Sequence, residues 1–461
     1  MNNNKNKEII DELLTRGVGE FIDPDGAFRK KLEESPENII IKFGIDPTRP
    51  DIHLGHAVVL RKLRHFQDLG CKVIFLIGDY TGQIGDPTGK SKVRPEIHIE
   101  EIQTNMKTYL DQIDKILLKD EKVFDWTINS DWFTAINDIG APIGQMLSWV
   151  SPNGIKVDDI DANSTMGKSL IFENTRRQTR QNKNILAVTL GTFLWSLKHI
   201  THSRLIARDM FQDRIKKGEE LYLHEMMYPV LQGIDSFAIS KIYGNCDLEV
   251  GGTDQTFNML IGRDIMKINN QTPQAVLAFT LLEGLDGKEK MSKSLDNYIG
   301  INEEPNEIFG KTMSIPDELI IKYFYLCTDI EKSIIEGYEQ DMINDKVNPR
   351  DLKMTLGKEI VSMYHSKELA EGAQANFIAT FQNKEIPSDL PEIVIREGAL
   401  LLDVFVDNNI VTSKTDFRRL VDENAITNLD TNEKISDYKQ IAVEGVYRVG
   451  KKRFCRIVTN K

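Results

Sequence analysis

Through the first three hundred residues, apolar runs of strand length alternate with stretches whose apolar positions recur at helical spacing. The β-branched run Ile39-Ile40-Ile41 marks a strand over 38–45, broken by Gly44, an Asp and two prolines. The helix pattern LGHAVVLRKLRHFQDLG follows from Leu54. CKVIFLIGD (71–79) is continuously apolar, as a strand buried on both faces should be. A helix over 100–118 and the strand KVFDWTI come next. Residues 201–235 read as helix, SFAISK and CDLEV as strands, GGTDQTFN as the start of a helix and AVLAFTLLEG as another buried strand. This alternation over 38–300 predicts an α/β fold with a doubly wound parallel sheet.

The remaining segments fit around that sheet. Residues 1–37 read as a helical lead-in. The segment 134–200 interrupts the alternation and reads as an insertion. Its longest apolar stretch, Ile185 to Leu197, is shorter than the roughly 20 residues a bilayer requires and reads as a buried helix, or as a helix covered by a second copy of the chain. Residues 301–382 are helical, 383–396 form a polar linker, and 397–461 begin with helices and end in short strands, a small α+β unit.

Composition narrows the class. The chain has 461 residues, enough for several domains, with 40% hydrophobic and 28% charged residues, as in a soluble globular protein. The first residues, MNNNKNKEIIDELL, lack the apolar core of a secretory signal. Cys71, Cys246, Cys327 and Cys455 are widely spaced and form no CxxC pair, which argues against a zinc site or a disulfide framework and for a reduced, cytoplasmic setting. A net charge of −12 argues against non-specific nucleic-acid binding by the whole surface. Local basic stretches at 166–183 and in RVGKKRFCR still allow RNA docking.

The candidate chemistry is concentrated in Phe43 to His56, FGIDPTRPDIHLGH. A strand running through a turn into a helix presents unpaired backbone N–H groups, a ready anion site. Here it also carries Thr48, His53 and His56. GDPTGKS resembles a phosphate loop, but the position that requires glycine is Ile84, and Gly85 is one residue off, so the Walker reading fails. Lys90 and Arg94 remain as phosphate contacts or as a solvated basic loop. A second lysine-bearing motif, KMSKS, spans Lys290 to Ser294.

HLGH and KMSKS together, with DPT, GDPTGK, NSDW, YPVLQGID and GGTDQ, identify the chain as resembling the class I aminoacyl-tRNA synthetases, and within them the bacterial tyrosyl-tRNA synthetase family, over nearly its whole length. The resemblance implies a Rossmann-type catalytic domain (38–300), an α-helical anticodon-binding domain (301–382) and a ribosomal-protein-like RNA-binding domain (397–461). It implies tyrosine activation by ATP with Mg2+ and transfer to tRNA(Tyr), in a cytoplasmic homodimer with no membrane association and no protein-bound metal. Tyr228, Gln232 and Asp86 resemble the groups that hold the substrate ammonium, and Asp235 the acceptor of the tyrosine hydroxyl. The spacing of Tyr228, Gln232 and Asp235 keeps them on one helix face. Gly252, Asp254 and Gln255 match ribose and substrate contacts, Gly44 and Asp46 belong with the ATP site, and Asn129 matches a supporting polar position. Thr48 and His53 would meet the γ-phosphate and His56 the ribose, while Lys290 and Lys293, with Lys90 and Arg94, would close over the pyrophosphate. Lys414, Arg418, Arg419, Lys451, Lys452 and Arg453 would contact tRNA.

The chain departs from the family pattern at Lys42, where many members carry a tyrosine that contacts the substrate hydroxyl. Either this side chain points elsewhere or another group shares that role with Asp235. Two alternatives stay open on these residues: the same chemistry with another aromatic amino acid, and a non-catalytic RNA-binding protein on a synthetase fold.

Overall fold

A computed structural model describes residues 2–87, 97, 99–133, 188–381, 390–395, 398–431, 433–450 and 453–459. By packing, the chain divides into two units, Met1–Lys367 and Glu368–Lys461.

The first unit is built on a six-stranded sheet of β1 (Val18–Ile22), β2 (Ile40–Ile45), β3 (Lys72–Ile77), β4 (Phe124–Ile128), β5 (Leu248–Gly252) and β6 (Ala275–Phe279), in the order β1-β6-β5-β2-β3-β4. Strands β2 to β6 are mutually parallel. Every residue of β6, and every residue of β3 after Lys72, is buried, which is why both read as unbroken apolar runs. From β2 the chain winds outward through β3 and β4, and later returns to add β5 and β6 on the other side. The order therefore reverses between β2 and β5, and the crevice beyond their carboxyl ends is where such sheets bind ligands.

The helix Leu223–Tyr243 packs against the helix Thr256–Ile268 through Gly233 and Gly262. A Cβ on Gly233 would lie 3.1 Å from the Gly262 backbone, so small residues here set the close approach. The helices Pro305–Met313, Ile320–Cys327, Lys332–Ile343 and Pro349–Tyr364 belong to the same unit. Arg16 caps one of them, donating to the carbonyls of Phe324, Tyr325, Thr328 and Ile330 at 2.8–3.3 Å. Among the described residues no helix is long and apolar enough to cross a membrane.

The structure corrects four expectations. SFAISK is not a strand; it continues the helix Leu223–Tyr243, where Ala238, Ile239 and Ile242 are buried at helical spacing. The lead-in is not wholly helical, because β1 pairs antiparallel with β6 and makes the sheet mixed. The interval 383–396 contains β7 (Glu392–Ile395). The helix Leu190–Leu197 is not buried: Leu190, Leu194 and Trp195 are all exposed. Most of the expected insertion, 134–187, lies outside the described residues.

The second unit takes in the helix Lys367–Phe381 from Glu368 onward and has its own five-stranded sheet, ordered β7-β11-β10-β8-β9. Its other strands are β8 (Ile426–Asn428), β9 (Glu433–Lys434), β10 (Gly445–Val449) and β11 (Arg453–Thr459). The helices Leu401–Asp407 and Lys414–Asp422 supply Leu401, Phe405, Phe417 and Leu420 to a core shared with Tyr447 and Cys455.

Candidate active site

The site grows from the end of β2. Gly44 and Ile45 close the strand, and the turn carries Asp46 into a fixed position. Asp46 accepts hydrogen bonds from the Thr81 hydroxyl and the Tyr228 hydroxyl, each 2.8 Å. The space for that carboxylate exists because residue 78 is glycine: a Cβ there would collide with the Asp46 carboxylate and the Thr81 hydroxyl. His53 then caps the helix Leu54–Asp68. Its ring stacks on that of His56 with centroids 3.8 Å apart, and its backbone N–H points at His56 Nδ1 at 3.5 Å. Burial, then the nearby Lys293 and Lys290, push His53 down to about 3; burial likewise holds His56 well below its ordinary value. Both imidazoles are therefore neutral at pH 7, each with one N–H to donate. His53 Nδ1 is buried with no hydrogen-bond partner among the described residues.

A cavity of about 240 Å³ opens here, at the point where the strand order reverses. It is lined by Gly44, Asp46, Thr48, His53 and His56 from the β2 turn and helix, Asp86 from the loop after β3, and Tyr228, Gln232 and Asp235 from one helix face. Gly252, Asp254 and Gln255 come from the end of β5, and Lys290 from the KMSKS loop. Asn129 and Lys293 stand outside the lining. Asn129, fully buried, donates to the Thr81 hydroxyl at 2.9 Å and to Asp235 at 3.4 Å, and accepts from the Tyr80 N–H at 2.9 Å. Lys293 donates to the Asp51 carbonyl. Lys90 and Arg94 lie outside the described residues.

At the closed end of the cavity, Asp235 is 3% exposed and accepts from the Trp132 indole N–H at 2.9 Å. Burial pushes its carboxyl up to about 7, opposed mainly by the charge of Lys42. A continuous polar chain runs along the cavity wall. Gln255 donates to Asp86 at 2.6 Å, Asn258 to the side-chain oxygens of Gln255 and Gln232 at 3.0 and 2.9 Å, and Gln232 to Glu249 at 3.2 Å. As for Lys42, its ammonium is held by Glu249, Ser236 and the Gln232 carbonyl, each at 2.8 Å.

The open end is different. Lys290 reaches across to Asp254 at 2.5 Å with its side chain 53% exposed. The loop that carries it is pinned by Asn297, which accepts from the Ser292 N–H at 2.8 Å and donates to Asp286 at 2.9 Å. Burial lowers Lys293 to about 8.

Sequence reasoning missed several of these groups. Asn258 stands three residues after Gln255, at helical spacing, and was within reach. Trp132 closes the NSDW motif, but its indole gives no sign in sequence of facing Asp235. Arg208, buried between the rings of Phe211 and Phe257, lies 3.8 Å from Asp86 and comes from a helical region with no motif.

In the second unit, Lys414 pairs with Asp403 at 2.8 Å and Arg419 with Asp416 and Glu423 at 2.7 and 2.8 Å. Arg453 donates to the Ile410 carbonyl at 2.7 Å. Arg418 is exposed. Arg448, the first residue of the basic stretch RVGKKRFCR, lines a pocket with Arg419 and Arg453. Lys451 and Lys452 lie outside the described residues.

These features define a class. Residues 34–382 match the family model of tRNA synthetases class I (W and Y). The tyrosine–tRNA ligase of Francisella tularensis is 38% identical over 455 residues, covering 98% of each chain. That of Thermotoga maritima is 40% identical over 420 residues, covering 90% of each. Among solved structures, tyrosyl-tRNA synthetase from Archaeoglobus fulgidus, complexed with L-tyrosine, shares the fold with a TM-score of 0.53 at 19% identity, covering 80% of this chain and 99% of that one. The chain thus belongs to the class I tRNA synthetases and, within them, to the tyrosine–tRNA ligase family.

Proposed function

We propose that this cavity joins tyrosine to ATP and then passes the tyrosyl group to tRNA(Tyr). The observation that carries the reading is convergence. Tyr228, Gln232, Asp86 and Asp235 share one cavity with Thr48, His53, His56 and Lys290, beyond the strands where the sheet order reverses.

In this reading the substrate ammonium lies against Asp86, Tyr228 and Gln232, and the phenol reaches Asp235 at the closed end, supported from behind by Asn129. Gly44 lets ATP approach the backbone. Asp46 fixes the turn below it, and Gly252, Asp254 and Gln255 face the ribose and the substrate. The tyrosine carboxylate oxygen attacks the α-phosphorus of Mg-ATP, and the bond to pyrophosphate breaks. Charge grows on the leaving pyrophosphate, where donors positioned in advance stabilise it. Thr48 and neutral His53 serve its γ end, His56 the ribose, and Lys290 and Lys293 the leaving group, with Lys90 and Arg94 able to join. In the second step a hydroxyl of the tRNA terminal adenosine attacks the adenylate carbonyl and AMP leaves.

The basic residues of the second unit, Lys414, Arg418, Arg419 and Arg453 with Lys451 and Lys452, are assigned to tRNA. Backbone and shape recognition asks for little more than such a surface. The exposed apolar side chains of Leu190, Leu194 and Trp195 support a homodimer, as does the 75% exposure of Leu223. A cytoplasmic setting accords with four unpaired cysteines.

The test is ATP–pyrophosphate exchange with purified protein and Mg-ATP, run against each standard amino acid. Exchange with tyrosine alone is expected. Exchange with another amino acid would overturn the substrate, and no exchange in folded protein would favour a non-catalytic RNA-binding role. Sedimentation of Leu190→Lys/Leu194→Lys, expected to be monomeric, tests the dimer.

A further inference from the structure

A lysine and a glutamate sit together in the middle of the sheet. Lys42 on β2 is paired in register with Glu249 on β5, and the two side chains are 1% and 2% exposed. Replacing such a buried pair by apolar residues is often neutral or stabilising, so its presence at the switch point calls for another reason.

The partners supply one. All three protons of the Lys42 ammonium are engaged, by Glu249 Oε1, the Ser236 hydroxyl and the Gln232 carbonyl. Glu249 in turn accepts from Ser236 and from Gln274, each at 2.8 Å. Ser236 and Gln232 flank Asp235 on the same helix, one residue after it and three before. The pair therefore bolts the turn that carries Asp235 to the floor of the cavity. Asp235 is faced by Lys42 from β2, by Glu249 from β5, and by the neutral donors Trp132 and Asn129 from the segment after β4.

We propose that the Lys42–Glu249 pair is a specificity-determining element: it fixes the 232–236 turn and sets a positive charge beneath Asp235, so that Asp235 accepts the substrate hydroxyl proton instead of donating its own. Lys42 is thus a positioning residue with no proton left for the substrate. This rests on the reading of Asp235 as hydroxyl acceptor. Its chemical logic is that a buried ionised carboxylate deprived of the hydroxyl donor keeps only the Trp132 and Asn129 bonds, a costlier loss than the same loss for a neutral acid, so ionisation sharpens the rejection of phenylalanine. Burial drives Asp235 toward the neutral form and the charge of Glu249 adds a little to that, while the larger effect of the lysine charge opposes both.

The experiment uses the full-length protein. Tyrosine- and phenylalanine-dependent ATP–pyrophosphate exchange are measured across pH. Lys42→Met alone leaves a buried unpaired glutamate, so the double variant Lys42→Met/Glu249→Gln, which removes both charges, carries the test. The acid limb of kcat/KM for tyrosine is expected to move up by about one unit, and tyrosine preference at pH 7 to fall roughly fivefold. A folded double variant with the wild-type limb and preference would overturn the proposal. Asp235→Asn is run alongside. If it keeps the tyrosine preference, the acceptor reading itself fails. If it loses that preference while the double variant keeps it, only the role of Lys42 and Glu249 fails.

Discussion

The two ends of the cavity are built on opposite principles. At the closed end Asp235, Lys42, Glu249, Asn129 and Trp132 are all nearly inaccessible, and their polar atoms are committed to one another. At the open end Lys290 is half exposed and Lys293 rests on a backbone carbonyl, both on a loop. Buried, fully bonded groups hold one geometry and discriminate between substrates. A half-exposed ammonium on a loop, as at Lys290, is held weakly and can follow charge as it moves onto the leaving group. The comparison assigns specificity to the first region and rate to the second.

The largest effect that would break this division is at Asp235. Asp235→Asn is expected to lower tyrosine-over-phenylalanine preference by at least about 100-fold, out of the roughly 10⁴–10⁵ that a hydroxyl-bonding site supplies. Competitive exchange with both amino acids measures it. Next comes Lys290→Ala, expected to lower kcat by about 10²–10³ with little change in tyrosine binding. Rapid-quench measurement of adenylate formation, with tyrosine affinity by fluorescence titration, checks that split.

A smaller effect follows from pH. The Asp235 carboxyl stands near 7, above its ordinary 3.8. It is increasingly protonated as pH falls through 7, so tyrosine affinity should weaken about tenfold per unit below that point and level off above it. The stability effect has the opposite sign. The native state binds this proton more tightly than the unfolded chain, so the group's contribution to stability is present below 3.8 and lost as pH rises from there to about 7. Neutral His53 and His56 add no imidazole limb near pH 6.5. The smallest effect is in the second unit. Lys414 and Arg419 are exposed and ion-paired with Asp403, Asp416 and Glu423, so alanine at either should weaken tRNA charging by less than about 1 kcal/mol in KM and leave adenylate formation unchanged. Deleting 397–461 should weaken charging far more, again with exchange intact.

Much of this was legible in the chain. The unbroken apolar runs of β3 and β6 declared a buried parallel sheet, and Tyr228, Gln232 and Asp235 declared a helix face by spacing alone. What escaped depended on tertiary pairing. The short strand β1 becomes a strand by lying against β6, and no local pattern separated it from a helical lead-in. SFAISK looked like a strand because its short apolar run Phe237-Ala238-Ile239 fits a buried strand as well as a buried helix turn, yet the helix from Leu223 simply runs on. Lys42 looked like a departure in the substrate pocket because its neutralising partner, Glu249, is more than two hundred residues away.

The most direct measurement is a paired one: ATP–pyrophosphate exchange of Asp235→Asn and of Lys290→Ala, each with tyrosine and with phenylalanine. The account predicts that the first variant loses amino-acid preference and the second loses turnover but keeps preference. A Lys290→Ala enzyme that confuses the two amino acids, or a folded Asp235→Asn enzyme that still rejects phenylalanine, would contradict it.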